Sequence, residues 1–252
     1  MEYFDAFLPI GRTNSADRSS PTDTDAALAV MDRFGVSEAL VYHTVARDSD
    51  PELGNAQLAN VKHRRLHKIW AFDPAYVIPE SPEKYLRRAL KENIRAILVN
   101  PLTRNVRLDH SPRILELAHL LEKRRIPLLT VHRQWCCAED SIDWYRLADF
   151  CNRFPMLPVV AWEFRSRSNR PMFDALATTK NLFISLSSVW QAQMLETVCK
   201  TFGPRLVFSL GLPTLDPTSF IGVISYAPLK TKDKLAVAYK NMADMIKEAR
   251  HE

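Results

Sequence analysis

The sequence predicts an α/β protein of the (β/α)8 TIM-barrel type, folded as a single domain over residues 1–252. Three observations predict it. Short apolar runs alternate with longer amphipathic stretches from end to end, giving eight strand–helix units. The runs are crowded with Leu, Ile, Val and Phe without strict alternation, as expected for parallel strands covered on both faces. The chain's 252 residues match the roughly 250 that one such barrel takes. No Asn-Gly or Asp-Gly hairpin pair interrupts the pattern, and no GxGxxG points to an open dinucleotide-binding sheet.

The predicted strands, in order, are Tyr3 to Leu8, Glu38 to Tyr42, His67 to Phe72, Ile94 to Val99, Pro127 to His132, Pro158 to Trp162, Leu182 to Leu186 and Leu206 to Ser209. Helices fill the spaces between them. Ala27, Leu28, Met31 and Phe34 form one apolar face, and Gly35 follows as the stop. Ile114, Leu117, Ala118 and Leu121 repeat that spacing after Ser111-Pro112, a cap and first turn. Trp144, Leu147, Ala148 and Cys151 do so again before Pro155. Pro82 to Glu92, Asn169 to Thr178, Gln191 to Phe202 and Lys230 to Lys247 complete the set. The Ser/Asp/Thr-rich stretch from Thr13 to Thr24 reads as a flexible loop after the first strand.

Composition excludes several classes. Hydrophobic residues make up 46% and charged residues 25%, an ordinary globular balance. No apolar run approaches the roughly 18 residues of a membrane helix, and MEYFDAFLPI does not resemble a secretion signal, so a cytoplasmic protein is expected. The net charge of +5 is spread over many segments without a zinc-finger, RNP or phosphate-loop motif, which argues against a nucleic-acid partner. Cys136, Cys137, Cys151 and Cys199 form no CxxC pair and read as free thiols, with a nucleophilic role open for the adjacent Cys136 and Cys137.

The first and last strands, YFDAFLPIG (Tyr3 to Gly11) and RLVFSLGLP (Arg205 to Pro213), resemble those of the amidohydrolase superfamily. Usual members carry D-x-H-x-H-x-G in the first strand and a metal-binding aspartate at the end of the last. Here Phe7 and Pro9 hold the histidine positions and Gly211 the aspartate position, while Asp5, Gly11 and Pro213 are kept. ALAVMDRFGVSEALVYHTVARDSDPELGN (Ala27 to Asn55) is similar to the second-strand region of that group, and later segments resemble its fourth, sixth, seventh and eighth strands. The resemblance implies a barrel of a branch without the usual metal. His132, or Val131 if the register shifts by one, corresponds to the fifth-strand histidine, and Glu163 to the sixth-strand one. Two such ligands fall short of the three that a catalytic zinc needs. Neither a metal nor another cofactor is therefore expected.

In such a barrel the functional residues gather where strands run into helices. Those positions hold Arg12, His43, Arg47, Asn100, Arg104, His132, Arg133, Glu163, Arg165 and Ser187. Arginine forks suit carboxylates and phosphates, so Arg12, Arg47, Arg104, Arg133 and Arg165 are candidate binders of a small anionic molecule. Each could equally pair with an acid of its own, Asp48 or Glu163 among them. His43 and His132 are candidate general bases and Glu163 a candidate acid or orienting group. Two readings follow: a metal-independent hydrolase of a small anionic ester, lactone or amide, or a catalytically silent barrel binding a small acid or a protein partner. A strand-end cavity filled by Phe7, Trp70 and Trp162 would argue against the enzyme. Substrate and oligomeric state, a homo-oligomer included, stay open at this level.

Overall fold

The computed structural model describes residues 1–12, 20–75, 80–101, 104–131, 143–162, 169–186, 189 and 193–251. The strands β1 (Tyr3–Ile10), β2 (Val36–His43), β3 (Leu66–Ala71), β4 (Ala96–Val99), β5 (Leu128–Val131), β6 (Val159–Trp162), β7 (Leu182–Ser185) and β8 (Leu206–Val207) pair in parallel in sequence order. The Ala6 N–H reaches the Phe208 carbonyl at 2.9 Å and draws the first strand to the last. The result is the TIM barrel that the sequence predicts.

Two apolar layers explain the strands' composition. One lies inside the barrel and contains Phe4, Phe7, Leu40, Tyr42, Ile69, Leu98, Leu129, Val131, Val160 and Trp162. The other lies between strands and helices and takes the intervening residues, such as Val41, Ile97, Leu128 and Val159. Both faces of each strand are thus apolar, which is why no polar alternation marks them. Outer-layer helices are α1 (Thr24–Phe34), α4 (Pro82–Lys91), α5 (Pro112–Arg124), α6 (Trp144–Arg153), α7 (Asn169–Thr178) and α8 (Met194–Phe202). Their ends follow local chemistry. Asp23 accepts the Ala26 N–H at the start of α1, and Gly35 closes it at φ 69°.

Four features differ from the sequence-based expectation. The segment after β2, for which no element was expected, forms two short helices, α2 (Thr44–Asp48) and α3 (Pro51–Gln57). A signal was present, since Asp50 caps α3 with Pro51 as its first residue. The pair Asp216-Pro217 likewise opens α9 (Pro217–Tyr226), which was not anticipated. β8 ends at Val207, two residues early, because the chain leaves the ladder for a turn in which Gly211 has φ 77°. The single C-terminal helix is divided into α10 (Thr231–Leu235), a π-helical turn over 236–240, and α11 (Asn241–Glu248).

That C-terminal unit closes the end of the barrel where strands begin. Met242 and Met245 enter the inner layer. The Tyr239 hydroxyl donates to Glu38 Oε1, Glu38 Oε2 meets His67 Nε2 at 2.6 Å, and the Asn241 amide donates to the Pro204 and Leu206 carbonyls. At the opposite end, where β2 turns into α2, the Asn55 side chain bonds Ala71 twice. Its Nδ2 donates to the Ala71 carbonyl at 2.9 Å and its Oδ1 accepts the Ala71 N–H at 2.8 Å.

Candidate functional site

A bulge in β1 shapes the strand-end half of the interior. Asp5 pairs with Ala39 and Leu8 with Val41, so one extra residue is inserted on β1. Asp5 Oδ1 accepts the Phe7 N–H at 3.0 Å. The carboxyl is fully buried and its Oδ2 makes no well-formed hydrogen bond. Burial pushes its pKa up to about 6, against the opposing pull of the Phe7 N–H, the Ser209 hydroxyl and the Leu210 N–H.

The bulge sends Phe7 into the inner layer, at one of the replaced histidine positions. Its ring stacks on Tyr42 at 4.3 Å and on Trp162 at 5.6 Å between centroids. Trp70 does not join them; it packs in the outer layer against Tyr85, with the Arg88 guanidinium over its ring. Val131 and Trp162 take the inward positions at the ends of β5 and β6 and are neighbours in register. Trp162 is 6% exposed, and its Nε1–H has no acceptor among the described residues.

Tyr42, which the sequence reading passed over, connects this stack to the arginines. The inward alternation Leu40–Tyr42 was the available signal. Arg47 Nη1 donates to the Tyr42 hydroxyl at 2.6 Å, while Nε and Nη2 grip both oxygens of Asp48 at 2.5 and 2.7 Å. Burial holds the Tyr42 phenol well above its usual range. Arg104 is bonded to the same turn from the other side, through the Ser49 carbonyl at 2.7 Å and the Ala46 carbonyl at 3.2 Å, with Asp73 3.4 Å from Nε. Both guanidinium groups therefore fasten α2 to the rim.

His43 ends β2 and caps α2. Its Nδ1 accepts the Val45 N–H at 3.3 Å, so the neutral ring carries its proton on Nε2. Burial lowers its pKa, which favours that neutral form. The ring lies against Gly11, where a Cβ would stand 2.8 Å from Nε2; Gly11 at φ 105° is what admits it. Arg12 is exposed next to it, its carbonyl accepting the Thr44 hydroxyl at 2.7 Å. The remaining candidates, His132, Arg133, Glu163, Arg165 and Ser187, together with Cys136 and Cys137, lie outside the described residues.

The described part of this site does not fit a divalent metal. Phe7 is embedded in an aromatic stack, and Pro9 and Gly211 have no donor side chain. Gly211 has no space for one either: a Cβ there would lie 2.8 Å from Leu215 Cβ and 3.0 Å from Phe220 Cε2. Among the described residues no three His, Cys, Asp or Glu side chains converge as a metal site.

No protein-family model matches the sequence, and no curated protein matches it. Solved structures match the fold. A 2,6-dihydroxybenzoate decarboxylase in complex with 2,6-dihydroxybenzoate aligns with TM-score 0.75 and 15% identity, over 98% of this chain and 99% of that one. A candidate amidohydrolase from Staphylococcus aureus gives 0.74 and 13%, over 98% and 100%. A dihydroxybenzoic acid decarboxylase from Polaromonas sp. JS666, holding manganese and 2-nitroresorcinol, gives 0.72 and 12%, over 98% and 96%. At these identities the likeness establishes the fold, a TIM barrel aligned over nearly the whole chain. Among the described residues no helix is long and apolar enough to cross a membrane.

Proposed function

We propose that this protein is an amidohydrolase-type barrel that holds a small planar acid at the C-terminal ends of its strands without the divalent metal of its fold relatives. The observation that carries this reading is Phe7 seated between Tyr42 and Trp162 at a position where metal-binding histidine is usual. A flat aromatic stack favours a flat ligand. Structural neighbours named for aromatic acids support the same ligand class. His43 contributes a donor, Nε2–H, at the rim, and Arg12, Arg133 and Arg165 are the arginines we assign to the acid group.

Hydrolysis of a small anionic ester, lactone or amide is the second reading. It is favoured by the neutral state of His43, which burial maintains at physiological pH. In the present tautomer, however, the Nδ1 lone pair is used by the Val45 N–H, so His43 donates and does not take a proton. A general base in a hydrolase would then be His132, with Glu163 as acid.

Calorimetry with benzoate, 2,6-dihydroxybenzoate and neutral benzamide, with and without EDTA, tests the first reading. Binding of the acids over benzamide, unchanged by chelator, is expected. Stoichiometric manganese or zinc in protein purified without chelator, with acid binding abolished by EDTA, would overturn it. A screen of carboxylated lactones and esters with His132→Ala beside His43→Ala tests the second; turnover lost in His132→Ala supports it, and turnover kept there overturns it.

A further inference from the structure

Buried indole N–H groups are normally paired, and leaving one unpaired is costly. Among the described residues two indoles depart from this rule, Trp144 and Trp162. They differ in place. Trp144 opens α6 and belongs to the layer between helices and strands. Trp162 is the last residue of β6 and belongs to the inner layer, stacked on Phe7 and level with Val131 of β5. The end of a barrel strand is where ligands are held in this architecture. An N–H at that place, without an acceptor among the described residues, is a hydrogen-bond valence kept open.

We infer that the Trp162 Nε1–H is the donor that receives a carboxylate oxygen of the bound planar acid, while Phe7 and Tyr42 supply the apolar floor beside it. The inference rests on the acid-binding reading above and assigns one residue a role within it. The chemistry is consistent with the surroundings. Arg47, the buried cation nearest Tyr42, is already bonded to Asp48 and to the Tyr42 hydroxyl. A neutral donor then fixes the oxygen by direction, and the charge is met at the rim. A neutral isostere such as benzamide offers a weaker acceptor, so an indole donor also favours the acid.

The test uses the full chain labelled with 15N at its 5 tryptophan indoles. The Trp162 resonance is assigned by its loss in Trp162→Phe and by its proton contacts to the Phe7 ring in the native protein. Benzoate and 2,6-dihydroxybenzoate are then titrated, with affinity read by calorimetry. We expect the Trp162 indole proton to move downfield on saturation and Trp162→Phe to bind about tenfold or more weakly. Saturable binding with an unmoved Trp162 resonance, or with equal affinity in Trp162→Phe, overturns the role of Trp162 and leaves acid binding standing. Absence of binding by the native protein overturns the acid-binding reading itself. Should Trp162→Phe not fold, the native titration alone decides, since the resonance is assigned there by its contacts to Phe7.

Discussion

At Gly211, where the family resemblance would place an aspartate, backbone and packing both exclude a side chain. With φ 77° and Leu215 Cβ 2.8 Å from any added Cβ, an aspartate there meets both left-handed strain and overpacking. Gly211→Asp should therefore destabilise the protein by about 2–4 kcal/mol in urea denaturation and should not confer tight manganese binding. Asp5 is the second telling residue. Its pKa of about 6 exceeds the ordinary 3.8, so the folded state binds the extra proton between those values. Asp5 thus contributes stability in acid and loses it as pH rises through 6, on the order of 3 kcal/mol in total. Asp5→Asn keeps an acceptor for the Phe7 N–H, and its stability relative to the native protein should rise between pH 4 and pH 7. Paired urea titrations at the two pH values check this; a constant difference would contradict it. From sequence, Gly211 was visible as a missing ligand, but its turn geometry was not. Asp5 was legible only as a residue kept in the first-strand pattern, because its surroundings include Ser209 and Leu210, which follow β8.

Among the elements, strands were more legible than the pieces that follow them. Apolar runs identify β1 through β7 because both faces of each strand are covered. The short α2 and α3 escape notice since neither is long enough to show a helical period, although Asp50-Pro51 marks the start of one. Arg47 and Arg104 were legible as rim arginines, and Asp48 as an acid that one of them could pair with; Tyr42 and the Ala46 and Ser49 carbonyls follow from a helix that the sequence did not announce. The C-terminal unit depends on equally non-local bonds. Burial alone would raise the Glu38 pKa, but hydrogen bonds from Tyr239 and His67 and the nearby Arg64 hold it below the usual carboxylate value. This support is present above about pH 4.5 and is lost as pH falls further. Tyr239→Phe removes one bond to a charged acceptor and should cost about 1–2 kcal/mol at pH 7, with faster proteolytic cleavage within residues 231–248. Its effect should shrink below pH 4.

For the molecule as a whole, the shared frame does not carry a shared set of strand-end side chains. A decarboxylase with bound manganese shares this frame at 12% identity, while Phe7 of this chain stacks on Tyr42 and Gly211 leaves no room for a side chain. The melting temperature should accordingly be unchanged by EDTA and should rise on addition of a bound planar acid by ordinary linkage. A chelator-induced drop of several degrees in a thermal scan would contradict this. The frame was legible because a barrel imposes a repeated pattern along the entire chain. The interior was less so: a one-residue bulge in β1 decides which side chains point inward, and no local signal reports it.

The doubly bonded amide of Asn55 has a kinetic corollary. Ala71 is the final residue of β3, a position where amide protons ordinarily exchange quickly as the strand end frays. With Asn55 Oδ1 holding that N–H, and both Asn55 Nδ2 and the Tyr85 hydroxyl on the carbonyl, a side chain replaces the neighbouring strand that has already turned away. The Ala71 amide should then survive in deuterium oxide as long as those in the middle of β3. Asn55→Asp, which sets a carboxylate oxygen against the Ala71 carbonyl, should release it first.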